Sequence, residues 1–286
     1  MRKTILLCFF AIMTTMVQSQ ITIQVSDVET NENIEFASIL LPEHEKSFVA
    51  DENGKFLIDT NRYKLPLRVI VEQFGFDPQE ITLQSTTQLF KVSLSPEPEL
   101  LREIIIPPKN SKIKERIFGR TSEGSGKIVG TFKNYHTENS YSGLEFGLIL
   151  NTNNKFKKVK KIHWHINTLT LEKAIYNLQF YEVENGKPTD KISHPEINFT
   201  ITDKDKGWVV IEVDDFDIYI DGTKKIAAIL KTQKVELKSG TDGGTLALNL
   251  GIPAVSNLIV GRDSYYEEWS KIPVNYPFYI TVDSYE

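Results

Sequence analysis

Aromatic side chains near the end of the sequence form its densest group of possible ligand contacts. Tyr265, Tyr266 and Trp269 lie within five residues of one another, and Tyr276 follows shortly after them. Tyrosine and tryptophan rings stack on sugar rings and are favoured in contacts with other proteins. The spacing therefore predicts a surface that binds a glycan or a partner protein. Structural packing at the edge of a β-sandwich is the alternative explanation, and the sequence leaves both open.

Two histidines could provide metal ligands. His163 and His165 are separated by one residue in a segment of alternating polarity, so both rings project from one face of a β-strand. Two imidazoles on one face bind zinc or copper when a third ligand approaches. His136 or His194 could supply that ligand from another strand. The alternative is a polar strand face without a metal.

A lysine-rich stretch lies just before these histidines. Residues 154–161 include five lysines, which could bind an anionic polysaccharide or a lipid headgroup. Runs of like charge are more commonly solvated, in this case at the end of a hairpin.

Motifs that would indicate catalysis are sparse. Ser125 lies in the string EGSG, which lacks the pattern of a Gly-x-Ser-x-Gly nucleophile elbow. The turn at residues 241–244 is not followed by the Lys-Ser/Thr pair of a phosphate-binding loop. We therefore expect a protein that binds without catalysing and that uses no cofactor. The alternative is a hydrolase of glycans or peptides that uses carboxylates or a histidine-bound metal in the second half of the chain.

The first 19 residues have the layout of a secretory signal peptide. A positively charged start precedes an apolar run over residues 5–13, and Val17 and Ser19 satisfy the small-residue rule before a cleavage site. The run is shorter than the roughly 20 residues that a membrane-spanning helix needs. The sequence predicts export, with no transmembrane span after cleavage. Cys8, the only cysteine, lies within this segment, so we expect no disulfides.

The composition excludes further classes of protein. The chain has 286 residues, a formal charge of −5 and a pI of about 5.7, which argues against a nucleic-acid binder that depends on positive charge. Hydrophobic residues account for 40% and charged residues for 25%, values that a disordered polar chain does not have.

Alternating polarity predicts β-strands along nearly the whole chain after residue 19. Ile21, Ile23 and Val25, for example, alternate with polar residues, as in a half-buried strand. Short strands that recur every 8–12 residues or so are typical of β-sandwiches. The predicted fold class is all-β. It comprises a small β-sandwich at residues 20–95, an edge strand and basic linker at 96–127, and a larger antiparallel jelly-roll-like β-sandwich at 128–286.

Some segments carry more specific expectations. Residues 112–118 and 171–176 have patterns compatible with short helices. Residues 208–213 are almost entirely apolar, which predicts a strand covered on both faces.

The first predicted sandwich resembles a known family. The strings that carry the resemblance are at residues 24–27, 34–39, 51–56, 67–69 and 75–76. They resemble the carboxypeptidase regulatory-like domain, with Gly75 and Phe76 where that family has Gly-Tyr. The resemblance implies a small transthyretin-like β-sandwich without catalytic residues. The zinc peptidases that give the domain its name need a His-x-x-Glu pair, and none of the five histidines has Glu in that position.

A second resemblance concerns the segment that follows. Residues 101–106 resemble the strand found after this domain in many outer-membrane proteins of the Bacteroidota. The complete layout is similar to exported two-domain proteins of that phylum, whose second domain has no assigned activity. The resemblance implies a periplasmic or outer-membrane-associated protein. We therefore expect a non-catalytic envelope protein whose second sandwich binds a partner protein or a glycan.

Overall fold

The computed structural model describes residues 20–84, 89–97, 108, 111–124, 128–135, 143–263 and 265–286. The predicted signal peptide at residues 1–19 and the segment at residues 101–106, which resembles a strand of outer-membrane proteins, lie outside these ranges. Contacts divide the chain into two compact units, residues 1–43 with 50–96 and residues 44–49 with 97–286. Among the residues described, no helical segment has the length and apolar character needed to cross a bilayer.

The strands before residue 96 are short. They are β1 (Gln20–Asp27), β2 (Ser38–Leu41), β3 (Lys46–Val49), β4 (Lys55–Asp59), β5 (Leu67–Glu72), β6 (Gln79–Leu83) and β7 (Leu89–Leu94), and a 3-10 helix covers Pro42–His44. In the first unit, β1 lies between β4 and β7, and it runs antiparallel to β4 and parallel to β7. Strand β5 lies between β2 and β6 and is antiparallel to both.

Alternation along these strands forms the core of the first unit. Fully buried positions on β1 and β5 are Ile21, Ile23, Val25, Leu67, Val69 and Val71. Burying a side chain of this size stabilises a fold by about 1.5–3 kcal/mol. The turn before β4 needs glycine, because Gly54 has a positive φ of 69° and a Cβ there would lie 2.7 Å from the carbonyl oxygen of Val25.

The second unit has longer strands. They are β8 (Ile113–Arg120), β9 (Val129–Tyr135), β10 (Glu145–Asn151), β11 (Phe156–Ile166), β12 (Thr168–Leu169), β13 (Lys173–Glu184), β14 (Lys187–Lys191), β15 (Ile197–Thr202), β16 (Gly207–Glu212), β17 (Tyr219–Ile220), β18 (Lys225–Glu236), β19 (Gly244–Asn249), β20 (Ile259–Arg262), β21 (Ser270–Ile272) and β22 (Phe278–Tyr285), with a 3-10 helix at Asp214–Phe216.

Two large sheets enclose the core of the second unit. One has the order β14-β13-β18-β10-β20-β21, and the other has the order β16-β11-β22-β8. Aromatic residues from both sheets meet between them. The ring of Trp164 on β11 lies 6.1 Å from that of Phe146 on β10 and 5.5 Å from that of Tyr176 on β13. The described chain is therefore all-β with β-sandwich architecture, which confirms the predicted fold class.

The structure corrects the expectations for three segments. Residues 113–120 form strand β8, which pairs with β22 along its whole length, so the prediction of a linker and the prediction of a short helix are both wrong there. The helix suggested for residues 171–176 is also wrong, since β13 begins at Lys173. Strand β16 pairs with β11 and leaves Val210 48% exposed, so it is not covered on both faces.

Candidate functional site

Three of the four predicted aromatic residues come together in the loop that joins β20 to β21. We call residues 263–269 the aromatic loop. The rings of Tyr265 and Tyr266 meet edge to face with their centroids 5.6 Å apart. Trp269 packs edge to face against Tyr181 of β13, with 5.7 Å between centroids. Tyr265 is 49% exposed, whereas Tyr266 and Trp269 are half-buried.

Arg262, the last residue of β20, holds the aromatic loop in place. Its guanidinium carbon lies 5.1 Å from the centroid of the Tyr265 ring and 4.4 Å from that of Trp269. Its Nη1 donates a hydrogen bond of 3.0 Å to the carbonyl oxygen of Tyr265. Each cation–π contact is worth about 0.5–2 kcal/mol, depending on how far the cation is desolvated. The guanidinium therefore ties both aromatic side chains to the sheet.

A buried ion pair anchors Arg262. Its Nε donates to the carboxylate of Glu145, which stands directly opposite on β10. The two side chains are only 11% and 5% exposed. Desolvating two charges is costly, and their mutual pairing compensates only while both partners are present. The loop is thus connected to the sheet by a contact that does not tolerate the loss of one partner.

A chain of buried polar groups continues beside this ion pair. The Tyr181 hydroxyl donates to Oε1 of Gln179 at 2.7 Å, and Nε2 of Gln179 donates to Oδ1 of Asn177 at 2.7 Å. Nδ2 of Asn177 donates to Oδ1 of Asn198 on β15 at 2.9 Å. Burial raises the pKa of Tyr181, and the charge of Glu145 acts in the same direction. Because these groups bond to one another, they hold a single arrangement under the loop.

A small cleft of about 210 Å³ opens beside the loop. Its lining comprises Leu144, Glu145, Phe146, Ile259, Val260, Gly261, Arg262, Asp263, Glu267, Glu268, Ser270 and Ile272. Sites for drug-sized ligands measure about 300–1,000 Å³, so this cleft fits one ring or one side chain. Lys187 pairs with Glu268 at 2.7 Å, and this hydrogen bond lowers the pKa of Glu268.

The prediction that Tyr276, the fourth of these aromatic residues, contacts a ligand is wrong. It is fully buried in the core of the second unit, and its ring meets that of Phe278 edge to face at 6.0 Å. Burial raises its pKa. The residue precedes β22 and points between the sheets, so it cannot touch an external ligand.

The two histidines lie on the same side of β11, as alternation requires, and each contacts an aromatic ring. The ring of His163 stacks on Tyr279 with a centroid distance of 4.1 Å and an interplanar angle of 9°. The buried ring of His165 meets Trp208 edge to face at 5.2 Å. Burial lowers the pKa of His163, and Lys161 acts in the same direction.

The described residues supply no third ligand for a metal at these histidines. Across those residues, no three His, Cys, Asp or Glu side chains are grouped closely enough to hold an ion. His194 lies elsewhere, with its ring 5.7 Å from that of Phe180. His136 lies outside the described residues. A metal at His163 and His165 therefore stays a prediction from sequence.

The rings on this sheet form a continuous surface. We call Trp208, His163, His165 and Tyr279 the ring face. Trp208 reaches across to Tyr279 with 5.1 Å between centroids, and its Nε1 donates to the carboxylate of Glu123 at 3.0 Å. Three strands, β16, β11 and β22, thus contribute to one surface.

Sequence reasoning missed Arg262, Trp208 and Tyr279. Alternation within β22 signals that Tyr279 points away from the core, since Phe278 and Ile280 on either side of it are apolar. It does not reveal that His163 is the neighbour, because strand register depends on the fold. Arg262 carries no motif, and only its position opposite Glu145 identifies its role.

Gly119 on β8 stands opposite Tyr279 and has a positive φ of 125°. A Cβ there would overlap the carbonyl oxygen of Phe278 and lie 2.7 Å from Cα of Tyr279. We expect Gly119→Ala to destabilise the second unit by about 1–3 kcal/mol, measured by urea unfolding. The matched control is Gly207→Ala, where φ is 89° and a Cβ would have open space within 4 Å among the described residues. Equal losses in the two variants would refute the steric explanation.

Comparison with known proteins supports the domain assignment of the first unit. Residues 21–106 match the family model of the CarboxypepD_reg-like domain. This confirms the resemblance in that part of the chain. A search of curated proteins found no significant relative.

Similarity to solved structures is weak. One is a surface-layer-associated protein of Clostridium difficile with cysteine protease and lectin-like domains. It is 12% identical with a TM-score of 0.38, and the match covers 83% of this chain and 46% of that one. Another, from Bacteroides uniformis, has a proposed carbohydrate-binding role. It is 11% identical with a TM-score of 0.22, and the match covers 80% of this chain and 95% of that one. Similarities this low carry no conclusion about ligand or activity.

Proposed function

We propose that this chain is an exported, non-catalytic protein of the cell envelope, periplasmic or associated with the outer membrane, whose second unit binds a glycan at the aromatic loop. The observation that carries the proposal is the position of Tyr265. Tyr265 is 49% exposed, yet its ring is held by Arg262, which itself lines the cleft. A tyrosine that is held rigidly in solvent offers contact area at little further entropic cost.

The chemistry of the cleft suits a sugar. The carboxylates of Asp263 and Glu267 line it beside the hydroxyl of Ser270, and carboxylates accept hydrogen bonds from sugar hydroxyls. Apolar residues such as Ile259 and Ile272 line the remainder. An aromatic ring beside a few polar groups is the usual composition of a small-ligand site.

Binding without catalysis fits the charges near the cleft. A carboxyl group that acts as a general acid needs a raised pKa. Glu268 has the opposite shift, because Lys187 holds it as an anion, and Glu145 is paired with Arg262. The layout of residues 1–19 supports export, and the family match at residues 21–106 supports a spacer or docking role for the first unit.

We expect Tyr265→Ala to weaken glycan binding by about tenfold or more, equivalent to roughly 1.4 kcal/mol, because the stacking surface is lost. A glycan array probed with the chain lacking residues 1–19 identifies the ligand, and titration calorimetry then gives the affinities. Val255→Ala is the matched control, since it removes an exposed apolar side chain from another loop of the second unit. The proposal is contradicted if the intact protein binds no glycan on the array, or if the two variants bind the glycan with equal affinity.

A further inference from the structure

The ring face has an arrangement that packing of the second unit does not require. Core residues of β11 and β22 point inward, whereas His163 and Tyr279 stand side by side on the outer surface. Their rings are parallel and 4.1 Å apart, so each covers one face of the other. Both residues remain partly exposed.

The sequence of the next strand places no side chain in register beside the opposite face of the Tyr279 ring, and Trp208 on β16 meets the ring at an interplanar angle of 66°. Strand β22 lies between β11 and β8, and the residue of β8 in register with Tyr279 is Gly119. Because glycine has no side chain, nothing at that position covers the ring on the side away from His163. Ile117, two residues along β8, is 52% exposed and borders the same space. The Tyr279 ring therefore stands beside a gap in the row of side chains on β8.

Three lysines of β11 are paired with acidic side chains. Lys161 binds Glu212 at 2.8 Å, and Lys160 lies between Asp214 at 2.8 Å and Asp283 at 3.3 Å. Lys158 binds Asp217 at 2.7 Å. The lysine-rich stretch at residues 154–161 is therefore largely neutralised by neighbouring acids, and it does not form the positive patch that an anionic polymer needs.

The exposed aliphatic residues stand on opposite sides of the ring face. Val210 lies on β16 and Ile117 on β8, with β11 and β22 between them. Three strand spacings separate them by roughly 14 Å. A stable protein–protein contact buries roughly 800 Å² on each partner around a mainly apolar centre. The surface offers instead the ring of Tyr279, stacked on His163, whose Nε2 lies 3.1 Å from the buried hydroxyl of Thr281.

We infer that the ring face is a second glycan-binding surface, distinct from the aromatic loop, which takes an internal segment of an uncharged polysaccharide with a sugar ring stacked against Tyr279. An uncharged ligand matches the paired charges, and the apolar face of a sugar ring matches the open face of the tyrosine. The gap beside Tyr279 lies on the flat of a sheet, where a chain can pass in both directions. The cleft at the aromatic loop instead fits a single ring. Experiments can therefore rule out either binding site while leaving the other one standing.

Affinity electrophoresis of the chain lacking residues 1–19 tests this inference, with a soluble β-glucan, a xylan and a galactomannan as probes. At least one of them is expected to retard the protein. Tyr279→Leu keeps an apolar side chain but removes the ring, and we expect it to weaken binding about tenfold. Tyr279→Phe keeps the ring and should bind within about twofold of the parent. Thermal unfolding confirms that both variants are folded.

Two further variants distinguish a polysaccharide stacked on Tyr279 from a sugar at the aromatic loop and from a contact centred on Ile117. Tyr265→Ala should leave polysaccharide retardation unchanged, because it alters only the aromatic loop. Ile117→Thr should bind within about twofold of the parent, because the ring of Tyr279 supplies the stacking surface. The inference is overturned if no uncharged polysaccharide retards the intact chain, if Tyr279→Leu binds as well as Tyr279→Phe, or if only anionic polysaccharides bind. A loss in Ile117→Thr as large as that in Tyr279→Leu also overturns it, because the ring of Tyr279 would then not be the stacking surface.

Discussion

Replacing Arg262 with alanine is expected to lower the free energy of unfolding of the second unit by about 3–5 kcal/mol. The substitution leaves the carboxylate of Glu145 buried beside β20 without its counter-ion. It also removes the cation that stacks on Tyr265 and Trp269. The loss of the buried partner dominates, because an uncompensated charge in the interior costs more than the stacking contacts contribute.

Tryptophan fluorescence during urea unfolding measures this effect. All three tryptophans, Trp164, Trp208 and Trp269, lie in the second unit, so the signal reports on that unit alone. Lys187→Ala is the matched control, since it breaks an exposed ion pair with Glu268 and should cause no measurable change. The double variant Glu145→Met, Arg262→Met should recover part of the stability. Similar losses for Arg262→Ala and Lys187→Ala would show that the buried pair has no special role.

The second large effect concerns Lys157, whose titration is expected to make the stability of the second unit depend on pH. The residue is fully buried on β11, and its ammonium group donates to the carbonyl oxygen of Thr223 at 3.3 Å. Burial lowers the pKa of Lys157 from 10.5 to about 8, and the charge of Asp221 opposes that shift. The folded state therefore disfavours the charged form.

The direction of this pH dependence follows from the number of protons that each state binds. Between pH 8 and 10.5 the unfolded chain holds the Lys157 proton more often than the folded chain, so the free energy of unfolding rises with pH. A shift of this size corresponds to about 3 kcal/mol. Lys157→Met has no titrating group at this position. Subtracting its stability from that of the parent therefore cancels the contributions of the other titrating groups. We expect the stability of the parent minus that of Lys157→Met to increase by this amount between about pH 7 and pH 11. A difference that is flat or falls with pH would refute the buried-lysine explanation.

Much of the fold could be predicted because strand alternation is a local property. Ile21, Ile23 and Val25 are buried as their spacing indicates, and Gly54 takes the positive φ that its turn needs. Strand β8 was missed because its charged residues and Gly119 are typical of a linker. Pairing with β22 supplies the ordering, and Lys114 and Arg116 both bind Glu286, the last residue of the sequence. That contact joins segments far apart in the sequence and leaves no local pattern.

The candidate site could be predicted only in part from the sequence, for the same reason. The grouping of Tyr265, Tyr266 and Trp269 follows from their closeness in sequence. Tyr276 was assigned with them, but the side on which a residue enters the sandwich depends on register, and it faces the core. Pairing of distant strands brings Arg262 to Glu145 and His163 to Tyr279. Such partners become visible only when the sheet order is known.

Hydrogen–deuterium exchange with a glycan retained on the array tests the central claim most directly, namely that the second unit binds sugar at the aromatic loop. We expect slower exchange in peptides that cover residues 261–270 when the glycan is present. The same peptides of Tyr265→Ala should show no change. Protection confined to other segments, or no protection at saturating glycan, would contradict this claim.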